Sequence, residues 1–179
     1  MIIKASKEII ADGGGGALNV RKIAMKIGYT VGSIYMVFEN MADLVLHINA
    51  DTLDEIAEEI GEVEGDPQDC LKEMTSLYLS FLYRNFNRWS ILFFNRFVAI
   101  EHWPEWYHAK FERIIDLFER QIERALPGSP AQRRRHLANA LWGGINGVCI
   151  LSIDADRKQS AIADIEKTLM VLVEQSVRP

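Results

Sequence analysis

The feature that most constrains the fold is a pair of short helical segments separated by three residues. The first, VRKIAMKI from Val20 to Ile27, has apolar residues at positions i, i+3, i+4 and i+7, the pattern of one buried helix face. The turn GYT follows, and VGSIYMVF again has apolar residues four positions apart. With the helix predicted before them, these segments indicate a three-helix helix-turn-helix unit. An ordinary helical hairpin has the same pattern, so both alternatives stay open here.

The rest of the chain also has helical periodicity, and no stretch alternates as a strand does. We therefore predict an all-α fold. An N-terminal helix-turn-helix module, residues 1–46, is followed by a helical bundle, residues 47–179. The acidic linker EVEGDP lies just beyond the helix that contains this boundary. A second helix break is predicted at the polar pair Asn87-Arg88.

Four consecutive glycines, Gly13 to Gly16, precede the helix-turn-helix segment and raise the question of phosphate binding. A phosphate-binding loop of the Walker type needs Lys-Ser or Lys-Thr after its glycines, and neither is present. No strand precedes the glycines, so the dinucleotide-binding fingerprint also lacks its context. We interpret this stretch as the end of one helix followed by a flexible connection.

Composition and side-chain patterns exclude several other classes of protein. The two cysteines, Cys70 and Cys149, are far apart in sequence, which argues against a disulfide framework and suits the cytoplasm. Apolar stretches are too short to span a membrane. The four histidines are too scattered for a metal site, and no nucleophile–base pair is recognisable. We expect no metal, no cofactor and no enzymatic activity.

The second helix of a helix-turn-helix unit enters the major groove of DNA with its N-terminal residues facing the base edges. Here those residues are Thr30, Val31, Gly32 and Ser33. The hydroxyl groups suit phosphates or bases, the valine methyls suit thymine, and glycine permits close approach of the backbone. These four residues are the first candidates for DNA contact.

The segment ALNVRKIAMKIGYTVGSIYMVFENMADL resembles the DNA-binding signature of TetR-type transcriptional regulators. The matching positions are Ala17, Leu18, Val20, Ile23, Ala24, Gly28, Gly32, Tyr35, Phe38 and Leu44.

This resemblance implies a homodimer that binds a palindromic operator in double-stranded DNA and is released by a small ligand in the C-terminal domain. It places Asn19 at the start of the first helix of the motif. It also implies that Arg21 and Tyr35 contact the DNA backbone. Val37 and Met41 replace a histidine and a lysine that usually serve the backbone. Residues 1–50 carry five lysines and arginines against four acidic residues, so we expect weak DNA binding.

The segment from Tyr78 to Phe111 contains 12 of the 17 aromatic residues in the chain. A bulky helical core is one interpretation. The other is an apolar pocket for a small apolar or aromatic effector, with Trp89, Phe93 and Phe97 on one helix face and Trp106 nearby. The stretch LWGGINGVCIL also resembles a C-terminal domain of this family named for a Trp-His-Gly pattern, with Asn146 in place of the histidine. Trp142 and Asn146 complete the candidate ligand site.

The last two long helices are predicted to form the homodimer interface. The last one carries an apolar stripe made of Ile162, Ile165, Leu169, Leu172 and Val173. Packing of this stripe within one subunit is the alternative.

The sequence as a whole predicts a ligand-responsive DNA-binding repressor. The alternatives are a helical ligand-binding dimer with a degraded DNA module, which acts through protein contacts, and a small helical enzyme or carrier.

Overall fold

The computed structural model describes residues 1–61, 63–94, 103–152 and 159–178. Within these ranges it contains nine α-helices, one short 3-10 helix and no strand, which confirms the all-α prediction. The helices are α1 (Ile2–Gly13), α2 (Val20–Ile27), α3 (Val31–Tyr35), α4 (Met41–Gly61), α5 (Pro67–Arg84), α6 (Phe86–Phe94), α7 (Glu105–Ala125), α8 (Ala131–Ser152) and α9 (Gln159–Ser176).

The break between α5 and α6 lies at Asn85, and the prediction of a break at Asn87-Arg88 is wrong. The carbonyl of Asn85 accepts the backbone N–H groups of Arg88 and Trp89, both at 2.9 Å, so a new helix begins directly after it. The side-chain oxygen of Asn85 also accepts a hydrogen bond from Arg88. The two backbone bonds satisfy N–H groups that have no partner in a preceding turn of α6.

The chain divides into two compact units. The N-terminal unit comprises Met1–Glu55 and Leu82–Lys110, and the C-terminal unit comprises Ile56–Phe81 and Phe111–Pro179. The division falls inside helices α4, α5 and α7. The boundary after residue 46 concerns where DNA binding ends and ligand binding begins, and it stays a prediction.

The N-terminal unit has a core in which the three helices of the helix-turn-helix segment meet the start of α4. Ile91 of α6 belongs to the same core, although it lies more than forty residues further along the chain. The buried members are Ile10, Leu18, Ile23, Ala24, Ile34, Phe38, Leu44, Val45, Ile48 and Ile91.

The glycine stretch forms a hydrogen-bonded turn packed on α6, rather than the loose connection expected from the sequence. Gly14 has φ 70° and ψ 178°, and its N–H donates to the Ile10 carbonyl at 2.8 Å, which ends α1. The 3-10 helix Gly15–Ala17 follows. A Cβ on Gly15 would lie 3.1 Å from Cγ1 of Ile91, so the backbone comes closer to α6 than most side chains permit.

We expect Gly14→Ala to lower the free energy of unfolding by about 1–3 kcal/mol, because this backbone conformation is almost exclusive to glycine. Gly16→Ala is the matched control, since nothing lies within 4 Å of a Cβ built there. Urea titrations of both variants and the parent chain measure the difference. Equal midpoints for the two variants would contradict the requirement for glycine at position 14.

In the C-terminal unit, α9 packs its apolar stripe against the rest of its own subunit. Ile165, Leu169 and Val173 are 5%, 0% and 0% exposed. A Cβ on Gly144 of α8 would lie 2.8 Å from Cδ2 of Leu172, so the two helices approach closely. The prediction that this stripe faces a second subunit is therefore wrong for these three residues, and the alternative of packing within the subunit holds. The side chain of Ile162 lies outside the described part of the chain.

Candidate DNA-binding surface and aromatic cluster

Helix α2 begins and ends at the residues that the sequence indicated. The side-chain oxygen of Asn19 accepts the backbone N–H of Lys22 at 2.9 Å, so Asn19 caps the helix. Gly28 ends it in the left-handed conformation, φ 73° and ψ 28°, and its N–H faces the carbonyls of Ala24 and Met25. A glycine adopts this conformation without the strain that a Cβ would cause. The turn into α3 is thereby fixed.

Helix α3 places its first residues at the surface. Thr30 caps the helix, since its hydroxyl oxygen accepts the N–H of Ser33 at 3.2 Å. The two hydroxyl groups of Thr30 and Ser33 are 2.9 Å apart and bond to each other. Gly32 is exposed, whereas Val31 is half-buried and packs against the core. Each hydroxyl keeps further hydrogen-bonding capacity for DNA.

Tyr35 is 43% exposed at the end of α3. The neighbouring Ile34 is fully buried and anchors α3 to the core, so the tyrosine ring is presented outward from a fixed helix. Val37, in the position where the family usually has histidine, is 65% exposed. The surface beside Tyr35 is therefore apolar.

Positive charge on this unit is partly neutralised within the chain. Lys7 pairs with Asp51 and Glu55 of α4. Lys26 pairs with Glu8 at 2.9 Å, and this hydrogen-bonded contact lowers the pKa of Glu8 and raises that of Lys26.

Two cations at the start of α2 remain available. Arg21 and Lys22 are exposed, and in the described part of the chain neither makes an ion pair. The predicted contact of Arg21 with the DNA backbone stays a prediction, and Lys22 follows it directly in the chain.

The aromatic candidates of the N-terminal unit differ in burial. Trp89 is fully buried, with its ring centroid 4.9 Å from that of Phe93 and 6.0 Å from that of Phe86. Trp106 is 39% exposed and stacks on His47 at 4.6 Å. The structure thus brings Trp89 and Phe93 together. Phe97 lies outside the described residues.

Sequence reasoning missed a polar pair beside these rings, formed by Asn49 of α4 and Tyr107 of α7. Both are buried, at 3% and 2% exposure. Burial raises the pKa of the Tyr107 phenol to about 12, against the lowering effect of its hydrogen bond from Asn49. In the sequence Asn49 is a single amide within the apolar stripe of α4, four residues after Val45, and its partner Tyr107 is identified only by the structure.

Trp142 and Asn146 belong to the C-terminal unit, where they contact α5 and α7. The Tyr78 hydroxyl donates to the side-chain oxygen of Asn146, and the amide nitrogen donates to the Trp142 carbonyl at 2.7 Å. The Trp142 ring lies 4.9 Å from Tyr78 and 6.0 Å from Phe118. Both polar atoms of Asn146 are therefore satisfied within the subunit, and a ligand contact by these two residues stays a prediction.

Among the described residues, no group of three metal-binding side chains is close enough to hold an ion. The same residues include no helix that is both long and apolar enough to cross a bilayer. Burial raises the pKa of the Cys149 thiol to about 12, so it is not a reactive thiolate at neutral pH.

Comparison with known proteins identifies the N-terminal segment. Residues 2–48 match the family model described as bacterial regulatory proteins, tetR family. These residues include the whole helix-turn-helix segment and the start of α4. No curated protein matches the chain.

Solved structures share the fold along almost the entire chain. The transcriptional regulator FadR from Bacillus subtilis, in complex with stearoyl-CoA, has a TM-score of 0.74 at 17% identity, covering 99% of this chain and 98% of its own. A TetR variant from Acinetobacter baumannii AYE in complex with minocycline has a TM-score of 0.69 at 19% identity, covering 99% and 97%. A TetR-family regulator from Streptomyces coelicolor has a TM-score of 0.68 at 19% identity, covering 98% and 96%. At these identities the likeness shows the fold alone.

Proposed function

We propose that this chain, a member of the TetR family of bacterial regulatory proteins by its N-terminal domain and its fold, is a homodimeric repressor. It binds a palindromic operator and is released by a small apolar or aromatic effector. It acts in the cytoplasm, where bacterial DNA lies. FadR and the Acinetobacter TetR variant, which share the fold, were both solved with a bound organic molecule.

The observation that supports DNA binding is the geometry of α2, the turn and α3. The side chains of Asn19 and Thr30 cap the N-termini of α2 and α3, and α3 is anchored by the buried Ile34. Thr30 and Gly32 are exposed, and Ser33 is half-buried. Arg21 and Lys22 add positive charge beside it. This combination fits a major groove and its flanking phosphates.

Selection of binding sites from a random pool of double-stranded DNA tests the proposal. We expect recovery of inverted repeats whose half-sites are about 10 base pairs apart, because each subunit reads one half-site. Affinity should fall with salt less steeply than for a strongly basic repressor, since few cations are available. Recovery of no common sequence would contradict operator binding.

We expect Tyr35→Ala to weaken operator binding by about 1.5–3 kcal/mol, the range for a hydrogen bond to a charged group. Folding should be unaffected, because the side chain is 43% exposed. Met36→Ala is the matched control, since Met36 is 88% exposed and has no assigned contact. Fluorescence anisotropy with the selected operator measures the affinity, and circular dichroism checks the fold. A Tyr35→Ala affinity equal to that of the control would remove Tyr35 from the interface.

A second candidate function is regulation through protein contacts, with a DNA module that no longer binds DNA. It is supported by exposed apolar side chains in this module, since Met25, Met36 and Val37 are 79%, 88% and 65% exposed. Exposed apolar surface, where it is contiguous, is typical of protein–protein contact sites. A dimer that selects no DNA would favour this candidate.

The dimer is proposed to form through the exposed faces of α8 and α9, rather than through the buried apolar stripe of α9. Leu151 of α8 is 88% exposed and Val171 of α9 is 57% exposed. Exposed Ala140 and Gly143 on α8 permit close approach of a second helix. These residues replace the buried stripe as the predicted contact.

A further inference from the structure

We propose that Asn49 is the polar anchor of the effector site, and that the effector is an aromatic compound carrying an N–H or O–H group that donates to its side-chain oxygen. This inference rests on the proposed function, because it names the chemistry of the effector.

The side-chain oxygen of Asn49 is a buried hydrogen-bond acceptor without a partner. Asn49 is 3% exposed, and its side-chain oxygen has no hydrogen-bond partner. Its amide group does bond to Tyr107, in a contact that lowers the pKa of the phenol. An amide lowers the pKa of a phenol by donating its N–H to the oxygen, so the donor side of Asn49 is used and the acceptor side is not.

Burying this oxygen without a partner lowers the stability of the folded protein. A buried polar atom without a partner is rare in folded proteins, and each instance calls for a specific explanation. Among the described residues the other buried amide is Asn146, and both of its polar atoms are satisfied. Burial of an amide in this chain therefore does not by itself leave an acceptor unpaired. The N–H group of Asn49 already has a partner in Tyr107, so the oxygen is the part of this side chain that is left for a ligand.

Tyr107, the hydrogen-bond partner of Asn49, lies among other aromatic rings. The Tyr107 ring lies edge-on to Trp103, with ring centroids 5.2 Å apart, and edge-on to Trp106 at 5.8 Å. Trp106 in turn stacks on His47 of α4. Rings arranged in this way offer apolar surface and edge contacts to another ring. An aromatic ligand with one hydrogen-bond donor therefore matches both the unpaired oxygen of Asn49 and the rings around Tyr107.

Two naphthalene probes, one with a hydrogen-bond donor and one in which a methyl group replaces the donor hydrogen, test the inference. 2-Naphthol has an O–H group, and 2-methoxynaphthalene has the same ring system without a donor. Isothermal titration calorimetry on the full chain, without DNA, should show that 2-naphthol binds at least about fivefold more tightly. This comparison uses the parent protein alone, so it does not depend on how any variant folds.

Two variants test whether Asn49 causes the tighter binding of 2-naphthol. Asn49→Ala should reduce the affinity for 2-naphthol to that for 2-methoxynaphthalene. Asn139→Ala is the matched control, because Asn139 is an exposed amide on α8 that bonds to its own helix. It should keep the full preference. Thermal melting of each variant accompanies the titrations.

The outcomes separate this inference from the proposed function. Equal affinities for the two probes, no binding of either, or a preference retained in a folded Asn49→Ala variant would each overturn the role of Asn49. If selected operator DNA is nevertheless bound, the repressor proposal stands and the inference alone fails. If the donor preference is found but no DNA sequence is selected, the ligand site stands and the repressor proposal fails.

Discussion

Val171→Arg should convert the dimer to a monomer and abolish operator binding, while the subunit stays folded. Val171 is 57% exposed, so an arginine there is solvated in the isolated subunit. In the proposed interface the same charge would be buried without a partner, at a cost of about 3–5 kcal/mol. A weakened dimer cannot occupy both half-sites, so operator affinity falls with it.

Light scattering at micromolar concentration and the operator assay measure the two effects. Val171→Thr is the matched control, because it keeps the branched shape without adding charge, and it should remain a dimer. Leu169→Arg, two positions earlier, should instead give unfolded or insoluble protein, since Leu169 is fully buried in its own subunit. A dimeric Val171→Arg protein would contradict the assigned interface.

Trp89→Ala should lower the free energy of unfolding by about 3–5 kcal/mol, the cost of removing a large aromatic side chain from a packed core. Trp89 is fully buried between Phe86 and Phe93, so little of its surface is available to a ligand. Trp106→Ala is the matched control, because its ring is 39% exposed, and its effect on stability should be less than half as large.

Chemical denaturation followed by circular dichroism measures both tryptophan variants. The comparison also separates the two interpretations of the aromatic segment. A large loss of stability at Trp89 assigns that ring to the core. Equal losses at the two positions would contradict the difference in burial on which the assignment depends.

The helices and the motif were predictable because their signals are local. The spacing of apolar residues predicted the buried face of α2. Asn19 and Gly28 marked the two ends of α2, and Thr30 marked the start of α3. The matching positions of the family signature lie within one stretch of chain. Finding them required no knowledge of contacts between residues that are far apart in the sequence.

Contacts between distant segments were not predictable in the same way. Periodicity shows that Leu169 lies on an apolar face, but not whether that face meets its own subunit or a second one. The contact of Ile91 with Gly15 depends on how α6 returns to the start of the chain. Asn49 was missed because a single amide in an apolar stripe becomes informative only when its partners are known.

A coupled titration tests whether ligand and DNA binding belong to one switch. 2-Naphthol is titrated into the protein with and without the selected operator, and its dissociation constant is compared. Because coupling between two sites is reciprocal, a ligand that releases the operator must bind less tightly when the operator is present. We expect the affinity for 2-naphthol to fall by about 5–150-fold on addition of the operator. Identical dissociation constants in the two titrations would contradict a ligand-responsive regulator that uses this site.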